Sequence, residues 1–167
     1  VFVGVFFLPF HGANLLCTAL FGLAALTDWL DGYLARRLGQ TSAFGAFLDP
    51  VADKLMVAAA LVLLVQAIPT PLMAVTAMII IGREIAISAL REWMAQIGGH
   101  GRVAVSMIGK IKTTAQMVAV LLLLYREPFG GVFPTLAVGQ GLLLVAAVLT
   151  LWSMLHYLLA AWPALKA

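Results

Sequence analysis

Long apolar runs, interrupted at a few Pro, Gly or polar stations, set the pattern of this chain. A membrane-spanning helix needs about 20 mainly apolar residues. Val1 to Phe10 is apolar but half that length, and Pro9, His11 and Gly12 end it. No Met and no charged stretch precede it, as a signal peptide would require. It therefore reads as the tail of a first helix that begins outside the given sequence. Asn14 can cap a second segment running to about Leu38, with Gly39 as its stop. Thr41 or Ser42 opens a third, to about Ile68. Pro69-Thr70-Pro71 separates it from a fourth, which ends near Ile97 before Gly98-Gly99-His100-Gly101. A fifth spans about Arg102 to Tyr125, Glu127 to Pro134 is a loop, and a last helix runs from about Thr135 to Trp162. The pattern predicts five full helices and the remnant of one.

Composition narrows the class. Of 167 residues, 63% are hydrophobic and 10% charged, with a mean hydropathy of +1.07. Soluble domains carry roughly 45–50% apolar and about 25% charged residues, and disorder needs low hydrophobicity with high charge. Both classes are excluded. The expected fold is an all-α integral membrane protein, a six-transmembrane-helix bundle. No repeat or linker divides the chain, so residues 1–167 read as one transmembrane domain. The single cysteine, Cys17, excludes an internal disulfide framework and a Cys-rich zinc site. A net charge of +3 gives no grounds for a nucleic-acid partner. Arg36-Arg37, Arg102 and Lys166 fall on one side and only Arg126 on the other, which puts the first group in the cytosol.

Four of the seven acidic residues lie between positions 28 and 53, inside otherwise apolar helices. One charged side chain at depth costs about 2.5–3.5 kcal/mol even on the lenient insertion scale. Arg36, Arg37 and Lys54 are too few and too peripheral to neutralise all four. Asp28 and Asp31 are three apart on one helix, and Asp49 and Asp53 four apart on the next, so each pair shares a face. With Gln40 as the turn, Asp31 and Asp49 are each nine residues away, and Asp28 and Asp53 twelve and thirteen. The four carboxylates then form two layers, about 13 and 19 Å below the turn. Hard oxygen ligands at one depth suit Mg²⁺, Mn²⁺ or Ca²⁺, and four suffice for two ions. Gly32, Ala35 and Gly45 leave room for a ligand beside them. Arg36, one turn above Asp31, can reach a phosphate. Together these read as a pyrophosphate cradle. Two other readings stay open: the small residues as helix-packing devices, and the acids as proton or cation relays of a transporter. Acids clustered toward the cytosolic side, without an inverted repeat, speak against the transporter.

Asp28, Asp31, Gly32, Ala35, Arg36, Gly45, Asp49 and Asp53 follow the spacing D-x2-DG-x2-AR-x8-G-x3-D-x3-D within TDWLDGYLARRLGQTSAFGAFLDPVAD. This resembles the complete signature of the CDP-alcohol phosphatidyltransferases. Through GREIAISALREWMAQ and VAVSMIGKIKTTAQM the resemblance extends to the branch of bacterial phosphatidylglycerophosphate synthases, and it covers essentially the whole chain. It implies that family's six-helix fold and a homodimer in the bacterial cytoplasmic (inner) membrane, with the active site open to the cytosol. It also implies an enzyme of phospholipid biosynthesis that moves a phosphatidyl group from CDP-diacylglycerol to an alcohol and releases CMP, with Mg²⁺ or Mn²⁺, two ions per site. By motif match, Asp28, Asp31 and Asp49 would hold the metals, with Asp53 partly coordinating and acting as base. Asp31, Gly32, Ala35, Arg36 and Gly45 would accommodate the cytidine diphosphate, with Thr27 adjoining that pocket. The full first helix usual in members, with its Asn, Pro and basic residue, is missing here.

The acceptor hydroxyl loses a proton as it attacks phosphorus, and Asp53 is placed to take it. Direct in-line attack is expected, because no Ser, Cys or His accompanies the carboxylates as nucleophile. Glycerol 3-phosphate as acceptor requires fixed cations for its phosphate. Arg83, deep in an apolar helix, and Lys110, on a face with Thr113 and Thr114, are the first candidates, followed by Arg91 and then Lys112. The alternative pairs Glu84 with Arg91 and Arg83 with a signature Asp. These basic residues favour a phosphorylated acceptor, glycerol 3-phosphate or an inositol phosphate, over serine or a neutral lipid. His11, His100 and His156 lack ligand spacing, and Trp93, Tyr125, Trp152 and Trp162 sit where an aromatic belt explains them.

Overall fold

The computed structural model describes residues 1–10, 12–38, 43–96, 107–128, 130 and 132–165. Within its helices, the side chains of residues 29, 35–36, 43–44, 46–47, 49–50, 91, 95–96, 107–110 and 160–165 lie outside the description. The elements are α1 (Phe2–Phe6), α2 (Ala13–Leu38), α3 (Ala43–Ala67), α4 (Pro71–Gln96), α5 (Met107–Tyr125) and α6 (Thr135–Leu165). Every regular element among the described residues is a helix. The five long ones hold 26, 25, 26, 19 and 31 residues, or about 29 to 47 Å of rise. Bilayer hydrocarbon is about 30 Å thick. Among the described residues, Ala13–Leu34, Pro71–Met94 and Thr135–Leu159 are long and apolar enough to cross it, and Ile111–Tyr125 is a shorter apolar helix. The chain is an all-α, multi-pass membrane protein.

Local chemistry explains the boundaries. Thr70 Oγ accepts the Met73 N–H at 3.2 Å. This N-cap precedes Pro71 at the first helical position, where its missing N–H costs nothing. At the end of α5, Arg126 adopts φ 62° and donates its N–H to the Leu122 carbonyl at 3.2 Å, the left-handed cap usually made by glycine. Its guanidinium then lies 4.7 Å from the centre of the Phe6 ring, which ties α1 to that end. The expected stop at Gly39 and the hairpin turn at Gln40 lie outside the described residues. α6 continues through Pro163 to Leu165, three residues beyond the expected end at Trp162. Near a helix end the proline ring disturbs only the last turns.

Packing is uneven across the bundle. α5 and α6 lie against each other most extensively, α4 packs on α6, and α2 packs on α5, whereas α2 and α3 barely touch. Phe21, Leu61, Leu64, Met73, Ile80, Leu123 and Leu143 form the buried core, and Phe2 of α1 meets Phe21 with ring centres 5.9 Å apart. The close α5–α6 approach depends on Gly139, where an added Cβ would stand 2.8 Å from Leu123 Cγ and 3.3 Å from Leu122 Cβ. At Gly141 an added Cβ would meet nothing within 4 Å. Gly139→Val is therefore expected to destabilise the protein by about 2 kcal/mol through overpacking. Gly141→Ala should stabilise it by up to about 1 kcal/mol through helix propensity. Thermal unfolding in detergent measures both, and equal midpoints would refute the close approach.

Candidate active site

The thin contact between α2 and α3 leaves a cavity of about 280 Å³, lined by Ala24, Thr27, Asp28, Asp31, Ala52, Asp53 and Met56. Helical spacing brings these residues together. Ala24, Thr27, Asp28 and Asp31 recur at three- and four-residue steps on α2, as Ala52 or Asp53 and Met56 do on α3. Short alanines make the space, Met56 and Ala24 give it an apolar floor, and the carboxylates supply its charge. Thr27 donates its hydroxyl to its own helix, with the Leu23 and Ala24 carbonyls both 2.9 Å away.

Asp28 and Asp31 are exposed and Asp53 is partly buried. Among the described residues, none of the three has an ion-pair partner. Asp53 lies within electrostatic reach of both Asp28 and Glu84. Like charges gathered at bilayer depth without a counter-ion are unfavourable, so this donor set fits a hard divalent cation. Among the described residues, no three His, Cys, Asp or Glu side chains close on a single point. The trio lines the cavity instead. The fourth carboxylate, on Asp49, falls outside the description, as do the side chains of Ala35 and Arg36. Gly32 and Gly45 lie on the same two helices and are half-buried.

α3 is a partition. Its Ala52, Asp53 and Met56 face the carboxylate cavity. Val51, Lys54, Leu55, Val57 and Ala58 instead line a larger apolar groove of about 430 Å³ against α4. Lys54 Nζ is hydrogen-bonded to Ser88 Oγ in that groove. Ser88 passes its own hydroxyl proton to the Glu84 carbonyl at 2.7 Å, so its oxygen is the acceptor for Lys54.

The expected acceptor cations are distributed differently. Arg83 does not reach a signature Asp, because its Nη1 pairs with Glu84 Oε1 at 2.7 Å. Lys112 reaches the same oxygen from α5 at 2.9 Å. Arg91 and Lys110 lie on α4 and α5, with side chains outside the description. The sequence reading had no place for Ser153, which accepts from Arg83 Nη2 at 3.2 Å across 70 positions, a separation that no local pattern reveals. Ala24 and Met56 were also overlooked, although each lies one helical turn from a signature Asp.

The family model described as CDP-alcohol phosphatidyltransferase matches residues 1–158. A protein of Sodalis glossinidius (strain morsitans), named CDP-diacylglycerol–glycerol-3-phosphate 3-phosphatidyltransferase, is 58% identical over 162 residues, covering 96% of this chain and 86% of that protein. Relatives of the same name in Pectobacterium atrosepticum and Pseudomonas fluorescens are 56% and 53% identical, over 96% and 99% of this chain. The unpaired carboxylates thus occupy the positions of a signature whose family spans nearly the whole sequence, and the chain belongs to the CDP-alcohol phosphatidyltransferases.

Proposed function

We propose that this protein transfers the phosphatidyl group of CDP-diacylglycerol to glycerol 3-phosphate, giving phosphatidylglycerophosphate and CMP. The observation that carries the reading is the cavity between α2 and α3, lined by three carboxylates without ion-pair partners among the described residues. Relatives that carry this enzyme name are 53–58% identical and matched over 85–86% of their length, which supports the choice of donor and acceptor.

Asp28, Asp31, Asp49 and Asp53 hold two divalent ions, Mg²⁺ or Mn²⁺. Bound there, the ions offset the charge of the pyrophosphate and stabilise CMP as leaving group. Gly32, Ala35 and Gly45 leave space for the cytidine diphosphate, Arg36 binds its phosphate, and Thr27 borders the pocket. Asp53 accepts the proton of the acceptor hydroxyl as the new O–P bond forms and the bond to the CMP oxygen breaks. Attack is direct. Thr27 is the one hydroxyl among the described lining residues, and it is already donated to backbone carbonyls. Arg83, Lys110 and Arg91 receive the acceptor's phosphate. The active domain, 1–167, works as a homodimer in the bacterial cytoplasmic membrane, with the cavity open to the cytosol.

Purified protein assayed with CDP-diacylglycerol and a panel of alcohols, with and without Mg²⁺, tests this reading. CMP release only with glycerol 3-phosphate and metal is the expected result. Release with serine or an inositol phosphate instead would overturn the acceptor. Cation flux in liposomes without CMP formation would replace the enzyme with a transporter.

A further inference from the structure

Glu84, on α4, belongs to neither the signature nor the roles assigned above. Its Oε1 alone accepts from Arg83 Nη1 at 2.7 Å and Lys112 Nζ at 2.9 Å. These two cations have side chains only 10% and 5% exposed. Two positive charges on one carboxylate leave a surplus, and a buried surplus charge is unfavourable until an anion joins it. The orientation of Arg83 is meanwhile fixed on three sides. Nη1 is on Glu84, Nη2 is on Ser153 Oγ at 3.2 Å, and the guanidinium lies 5.9 Å from the Tyr157 ring centre. Ser153 donates its own proton to the Thr150 carbonyl at 2.9 Å, which leaves its oxygen to accept from Arg83. One donor of Arg83 remains: Nε is buried with no hydrogen-bond partner. Buried donors are rarely left so unless a ligand supplies the acceptor.

We propose that Glu84 is a positioning residue for the acceptor's phosphate. By holding Arg83 and Lys112 on a single oxygen, it aims the Nε donor and the surplus charge at an anionic group. This inference rests on the proposed use of a phosphorylated acceptor and assigns the residue that tunes its binding.

The test is a cycle of Glu84→Gln, Arg83→Ala and their combination, with KM measured separately for glycerol 3-phosphate and CDP-diacylglycerol. Each single variant should raise the acceptor KM about tenfold while the donor KM stays within about twofold. The combination should be no worse than Arg83→Ala alone, because Glu84 acts through Arg83. Additive effects, or equal rises in both KM values, would overturn the proposal. Ser153→Ala loses only the Nη2 anchor and should raise the acceptor KM about threefold; should Glu84→Gln fail to fold, an unchanged acceptor KM in this variant overturns it. Calorimetric binding of glycerol 3-phosphate, read without turnover, separates the two claims. Glu84-dependent binding without CMP release keeps this inference and defeats the proposed activity. CMP release with affinity indifferent to Glu84 does the reverse.

Discussion

Asp53→Asn is expected to lower CMP release by at least about 1,000-fold, since a positioned general base alone contributes about 10²–10⁴ and this carboxylate also holds metal. Stability should move the other way. In chelator, the variant should unfold at or above the wild-type temperature, because it removes one of the like charges near Asp28 and Glu84. Adding Mg²⁺ should then reverse the order. An ion that binds only the folded state stabilises it by about 2.7 kcal/mol at one hundred times its dissociation constant, and the variant should lose most of that gain. Release within tenfold of wild type would remove Asp53 from proton transfer. A Mg²⁺ response unchanged by the substitution would remove it from the metal site.

Lys112→Met is expected to destabilise the protein by about 2 kcal/mol. Deleting one partner of a buried ion pair costs about 3–5 kcal/mol when the other is left alone. Here the cost is smaller, since Arg83 stays on the same oxygen and the Glu84 side chain is 26% exposed. Denaturation in detergent measures the difference. An unshifted midpoint would mean that the Lys112–Glu84 pair contributes nothing to holding α5 against α4.

Much of this architecture was legible in the sequence for a physical reason: in a bilayer, apolar length and helix period are nearly the same information. The starts of α4 at Pro71 and α6 at Thr135 follow from local capping and proline chemistry, and α5 ends at Tyr125 as expected. The grouping of Asp28, Asp31 and Asp53 was equally readable, because i,i+3 and i,i+4 spacing fixes a face whatever the tertiary fold. What local pattern could not reach was partnership across the bundle. Arg83 takes Glu84 and Ser153, and Lys112 crosses from α5 to share the same oxygen. Those choices depend on which helix faces are brought together, and α4, α5 and α6 meet only in three dimensions. The left-handed turn at Arg126 was hidden for a different reason, since a non-glycine residue carries no compositional sign of that conformation.

Neighbouring residues on α3 look into separate compartments, Asp53 toward the acidic one and Lys54 toward the greasy one. A rigid rod shared in this way has no private side. Successive positions on it differ by about 100° of rotation, so a swivel large enough to widen either chamber swings the opposite wall as well. Bulk added at Leu55 or Ala58, far from any reacting atom by chemistry, will therefore be felt as altered aim of the carboxylates behind it.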